Sequence, residues 1–142
     1  MTTAVVRSAE ITVDLPREQA MSLFTAEGER PWAHGWDPQY PLASRREGPG
    51  AVFTTVHGHS HTTWIMVDQE PEGVRYARVT DGTTAGTVAV DVVSSDASST
   101  RVRVTYDLTA LTPDGEAWLE SFENDYEDMI ASWGTEIAAA LD

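Results

Sequence analysis

The chain has 142 residues and no cysteine, and it sets nine arginines, with no lysine, against 23 acidic residues for a formal charge of −14. The length fits one domain, and an apolar content of 41% is enough for a core. The charge excludes nucleic acid and anionic membrane surfaces as partners, since both need surplus basic residues, and the lack of cysteine excludes disulfides, thiolate nucleophiles and cysteine metal sites.

The first residues carry Arg7, Glu10 and Asp14, so no uninterrupted apolar leader is present. No apolar run approaches the ~20 residues of a spanning helix. A soluble, cytoplasmic domain is the expectation. Residues 8–15 alternate, with Ala9, Ile11, Val13 and Leu15 on one face and Ser8, Glu10, Thr12 and Asp14 on the other, which predicts a half-buried strand. Pro16 ends it and starts a short helix over 17–25, broken at Gly28. A second short helix is predicted over 29–33, followed by a loop rich in Gly, Pro and aromatics. From Gly50 the pattern turns to strands: 51–57, 61–68, 74–80, 83–93 and 100–111. The turns between them fall at 58–60, at Pro71-Glu72-Gly73, at Asp81-Gly82 and at 94–99. Alternation is cleanest at Val88, Val90 and Val92 and at Val102, Val104, Tyr106 and Leu108. An antiparallel meander with one dry face follows.

Thr112-Pro113-Asp114 reads as a helix start: a capping hydroxyl, proline in the first turn, then an acid. Trp118, Leu119, Phe122, Tyr126, Met129, Ile130, Trp133, Ile137 and Leu141 then recur at spacings of three and four, an amphipathic helix roughly 40 Å long. Gly134 lies inside it at a cost of about 1 kcal/mol relative to Ala. The elements describe one α+β domain over residues 1–142, with the helix on the dry face of the sheet. A long helix on a curved sheet rarely fills the space beneath it.

Several residues carry candidate chemistry. In His57-Gly58-His59-Ser60-His61 an unbroken strand would point three imidazoles to one face, a divalent-metal pattern. Gly58 and Ser60 instead favour a turn that splays the rings, and the plainer reading is a polar hairpin tip with one histidine at a cavity mouth. Tyr76 and Arg78 share a face with Val74; if that face is dry, Arg78 is a buried cation that needs an acidic or carbonyl ligand, a carboxylate from the last helix, or a route to solvent. Trp64 and Met66 on one strand, and Phe122, Tyr126, Met129 and Trp133 on the helix, are core packing first and a pocket wall second. Asp37 before Pro38 is a turn residue or a catalytic carboxylate. No nucleophile elbow and no phosphate-cradling glycine loop are present.

The element order resembles a known superfamily, as do the residues Phe24-Thr25, Gly28-Glu29-Arg30, Trp32, Gly35-Trp36-Asp37-Pro38, Gly48-Pro49-Gly50-Ala51-Val52-Phe53 and Thr109-Ala110-Leu111. It is the START-like group, also called SRPBCC or Bet v 1-like, and within it the bacterial polyketide cyclase/dehydrase and lipid-transport-like proteins. The resemblance spans essentially the whole chain. It implies a helix-grip fold: a curved antiparallel sheet wrapped around a long C-terminal helix, two short helices after the first strand, and an internal hydrophobic cavity. It further implies that Tyr126 and Met129 line that cavity and that Trp36 belongs to a lid, where the plainer reading is a plug closing the core. The cysteine and histidine ligands of the iron–sulfur relatives are missing, and no cofactor is expected. The expected function is binding of a small hydrophobic molecule, aromatic or lipid-like. The alternatives are a cyclase or dehydratase using His57, Tyr76, Arg78 or Tyr126 in the same cavity, and an acidic interaction module resembling chaperone activators. The oligomeric state is open, a homodimer included.

Overall fold

A computed structural model describes residues 2–41 and 45–142. In chain order the elements are β1 (Ala4–Val13), α1 (Arg17–Ser22), β2 (Val52–His57), β3 (Ser60–Glu70), β4 (Gly73–Thr80), β5 (Thr84–Ser95), β6 (Thr100–Ala110) and α2 (Pro113–Leu141). The six strands form one antiparallel sheet in the order β1-β6-β5-β4-β3-β2. Bulges at Met66/Asp68 and Val92/Ser94 interrupt the register, which bends the strands and deepens the twist. Because β1 pairs with β6 at one edge and β2 lies at the other, the chain between them must cross the concave face. That crossing carries α1 and the tryptophan-rich segment, and it roofs the sheet.

The alternation sets the inner face: Val88 and Val90, Val102, Val104, Tyr106 and Leu108 are all buried. Helix α2 starts where the sequence places it. The Thr112 hydroxyl oxygen accepts from the Gly115 N–H at 3.1 Å and donates to the Gly82 carbonyl at 2.5 Å. Leu119, Tyr126, Ile130 and Ile137 form its buried stripe and lie on β1 and β6. The helix therefore covers one half of the concave face and leaves the half made by β2 to β5 to the roof. No helix is long and apolar enough to cross a membrane among the described residues.

The main differences from the reading by pattern lie in the first strand and the short helices after it. Strand β1 begins at Ala4, because its register with β6 runs from Ala4↔Thr109. The first short helix stops at Ser22, and the second is a run of turns rather than a helix. The carbonyls that a continued helix would spend on its own amides go elsewhere. The Trp32 indole N–H donates to Leu23, that of Trp36 to Ala26, and the Tyr76 hydroxyl to Phe24, at 3.0, 2.7 and 2.9 Å. Local helix propensity is weak beside such buried tertiary bonds.

Gly134 faces β1 with room to spare: a methyl there would meet Ile11 Cγ2 at 3.6 Å, an ordinary contact. Gly134→Ala is expected to stabilise the protein by about 0.5–1 kcal/mol, read as a raised urea midpoint with an unchanged slope. A lower midpoint would mean that α2 presses on β1 more tightly than this spacing allows.

Candidate functional site

Between the sheet, the C-terminal half of α2 and the roof lies a cavity of about 510 Å³. Its floor comes from alternate residues of the strands: Phe53, Thr55 and His57 of β2, Trp64 of β3, Tyr76 of β4, Val88 and Val90 of β5, and Tyr106 of β6. The helix contributes Met129, Ser132, Trp133 and Glu136, one face at spacings of three and four. The roof contributes Phe24, Glu29, Trp32, His34 and Trp36.

The aromatic rings brace one another. Trp36 packs edge-on against Phe53 and Trp64, with ring centres 5.9 and 5.6 Å apart, and Trp32 lies 5.6 Å from Trp133. With its indole N–H fixed on Ala26, Trp36 is a braced wall of the cavity. Tyr76 and Phe53 also border a second cavity of about 720 Å³ between α1 and the far end of β3 and β4.

Of the residues singled out by pattern, Trp36, His57, Trp64, Tyr76, Met129 and Trp133 converge on the first cavity. Met66 lines the second. Phe122 and Tyr126 border neither. Phe122 stacks on Trp118 at 4.9 Å, and Tyr126 is fully buried with its hydroxyl donating to the Val104 carbonyl at 2.6 Å. Both sit where α2 lies directly on β6, before the helix reaches open space. Asp37 is held in the roof by an ion pair with Arg30 at 2.9 Å.

The three histidines do not share a face. Gly58 adopts φ +62° in a two-residue turn with His59, so His57 pairs with Ser60 and His61 lies opposite Val56. His57 borders the cavity, His59 sits at the turn and His61 points to the other side of the sheet. No group of three His, Cys, Asp or Glu side chains fit to hold a metal occurs among the described residues. The turn overrides the flat-strand geometry that would have made a metal site.

Arg78 does face inward. Its guanidinium lies over the rings of Trp64 at 4.9 Å and Tyr106 at 5.8 Å, and Nη2 donates to Thr80 Oγ1 at 2.8 Å. Nε is buried without a partner, and no carboxylate among the described residues forms an ion pair with it. Burial lowers its pKa, an effect opposed by neighbouring Tyr106. The rings stand between this cation and the cavity.

Glu29 is the group that pattern reading passed over. It lines the cavity from the roof, and burial pushes its carboxyl up to about 8. Burial also raises Tyr106 to about 12 and raises Tyr76, with Glu29 adding to both. At neutral pH the site therefore holds two neutral phenols and a protonated carboxyl within one aromatic wall. The available signal was spacing: the Ala33 N–H bonds to the Glu29 carbonyl at 2.8 Å, so a helical turn at 29–33 puts Glu29 on the side of Trp32 and Ala33.

No family model matches the chain, and no curated protein matches it in sequence. Solved structures match in shape. Norcoclaurine synthase from Thalictrum flavum, in complex with dopamine and hydroxybenzaldehyde, superposes with a TM-score of 0.68 at 12% identity over 99% of this chain and 87% of that one. The CalU16 protein of Micromonospora echinospora gives 0.65 at 18% identity over 94% and 76%. The Mll3558 protein of Rhizobium loti gives 0.64 at 15% identity over 94% and 96%. At such identities the likeness concerns the fold and leaves function to the cavity's own chemistry. With its six-stranded curved sheet gripping one long terminal helix, the chain has a helix-grip fold, the fold it shares with these solved structures.

Proposed function

We propose that the protein binds a small, mainly aromatic molecule in the cavity between the sheet and α2. The observation that carries this reading is a volume of about 510 Å³ walled by four tryptophans, Trp32, Trp36, Trp64 and Trp133, with polar side chains such as Glu29, His57 and Tyr106 set among them. Sites for small molecules share that size and that mix. Rigid rings exclude water and offer flat contact, while Tyr106, His57 and Glu29 supply orientation. The norcoclaurine synthase of the same fold holds two single-ring aromatics, which fits the scale. A second reading, acid–base catalysis of the cyclase or dehydratase kind, is favoured by one observation: Glu29 holds a proton near Tyr106 and Tyr76, so a donor already faces the space where a substrate would lie.

The test is titration with 2-naphthol, followed by tryptophan fluorescence. Saturable quenching with a Kd of about 100 µM or tighter is expected for a ligand of that size. Trp133→Ala and Trp36→Ala are expected to weaken it about tenfold. Trp118→Ala, at a ring stacked on Phe122 away from the cavity, leaves it unchanged. Non-saturable quenching, or equal loss in all three variants, overturns the binding reading. Mass spectrometry of the recovered ligand separates carriage, which returns it unchanged, from catalysis.

A further inference from the structure

We propose that the occupant selected by this cavity is an aromatic molecule carrying a positive charge, its ammonium seated between the Glu29 carboxylate and the tryptophan rings. The inference rests on the reading of the cavity as a binding site and names the ligand's class.

Four observations point the same way. Glu29 meets the cavity with only burial acting on its carboxyl, and no cation among the described residues offsets it. A carboxyl so placed keeps its proton or is met by a cation from outside. Four indole rings line the same space, and indole is the strongest aromatic partner for a cation. Among the described residues no arginine lines the cavity, because Arg78 lies behind the rings of Trp64 and Tyr106, and the chain has no lysine. Finally, a second acid, Glu136, stands in the same lining, 3.7 Å from His34, on a chain of net charge −14 whose field draws cations and repels anions.

The titratable groups around Glu29 are Tyr76 from β4, Tyr106 from β6, His57 from β2, His34 from the roof and Glu136 from α2. The phenols stay neutral near pH 8, so a cation arriving beside Glu29 releases the carboxyl proton to water. Binding of a permanently charged ligand must then strengthen as pH rises, by about tenfold per unit until the carboxyl is ionised.

The experiment uses benzyltrimethylammonium, which cannot titrate, and its neutral isostere neopentylbenzene, each followed by NMR titration at pH 6, 7, 8 and 9. The expected result is a cation that binds at least about tenfold tighter than the isostere at pH 9 and loses about tenfold per unit below pH 8. The isostere should show a flat profile. Glu29→Gln is expected to abolish the pH profile and the preference for the cation while retaining the isostere, which also shows that the variant is folded. A wild-type protein that binds the isostere as tightly as the cation at pH 9 overturns this inference and leaves the binding reading intact. A protein that binds neither overturns both.

Discussion

Replacing Glu29 with glutamine raises the stability of the protein at pH 9 by about 3–5 kcal/mol and changes it little at pH 5. The sign follows from the proton count. Burial raises the folded carboxyl from 4.5 to about 8, while the unfolded chain ionises at the ordinary value. Between those two pH values the folded state holds a proton that the unfolded state has released. Wild-type stability therefore falls by up to ~1.4 kcal/mol per pH unit as pH climbs through the window, and levels off above it. Glutamine has no proton to lose and is spared this loss. Thermal melts of the two proteins at pH 5, 7 and 9 should coincide at the acid end and separate by about 10 °C at the basic end. Repulsion among the remaining acids acts on both chains equally, so the difference isolates one side chain. Parallel melts at every pH would mean that the carboxyl is solvated after all.

Gly115→Ala is expected to cost about 3 kcal/mol or more, against the gain expected from the same change at Gly134. A methyl at 115 would lie 1.9 Å from the Thr83 carbonyl oxygen and 2.9 Å from its carbon. Neither partner can give way. The Thr83 carbonyl already accepts from Leu111 N–H at 2.9 Å, and Thr112, three residues before Gly115, is bonded to Gly82 in the same loop. The first turn of α2 must therefore lift off the β4–β5 connection, at the upper end of overpacking costs. Met129 and Trp133 ride on that helix, so 2-naphthol binding should weaken together with stability. An alanine variant with a wild-type urea midpoint would show that the helix end is free to move.

The two glycines also mark what pattern reading reaches. Strands β5 and β6 were legible because Val88, Val90 and Val92 and Val102, Val104, Tyr106 and Leu108 keep a strict two-residue period. Helix α2 was legible because a cap and an apolar stripe coincide. Neither signal says what lies opposite. The stripe from Trp118 to Ile137 runs without a break in sequence, yet Tyr126 meets a strand and Trp133 meets a void, because the helix crosses only part of a bent sheet. The histidine run misleads for a related reason: alternation assumes a flat strand, and one glycine at positive φ turns it. Glu29 was least legible. Its importance comes from Tyr76 and Tyr106, far away in sequence, and from three side-chain donors that convert a helix into a tight roof.

The outward side of α2 has a consequence for how copies of this molecule meet. Glu120, Asp125, Glu127 and Asp128 are exposed along it, and the last turn carries no base. Among the described residues only Arg7, 3.6 Å from Glu127, forms an ion pair with one of these acids. Two such helices laid side by side would confront acid with acid within a screening distance of about 8 Å at physiological salt. Like-charged walls of this kind keep molecules apart in crowded solution and deny a symmetric pair that face at low ionic strength. The outward side of α2 is therefore a face that stays hydrated where salt is low.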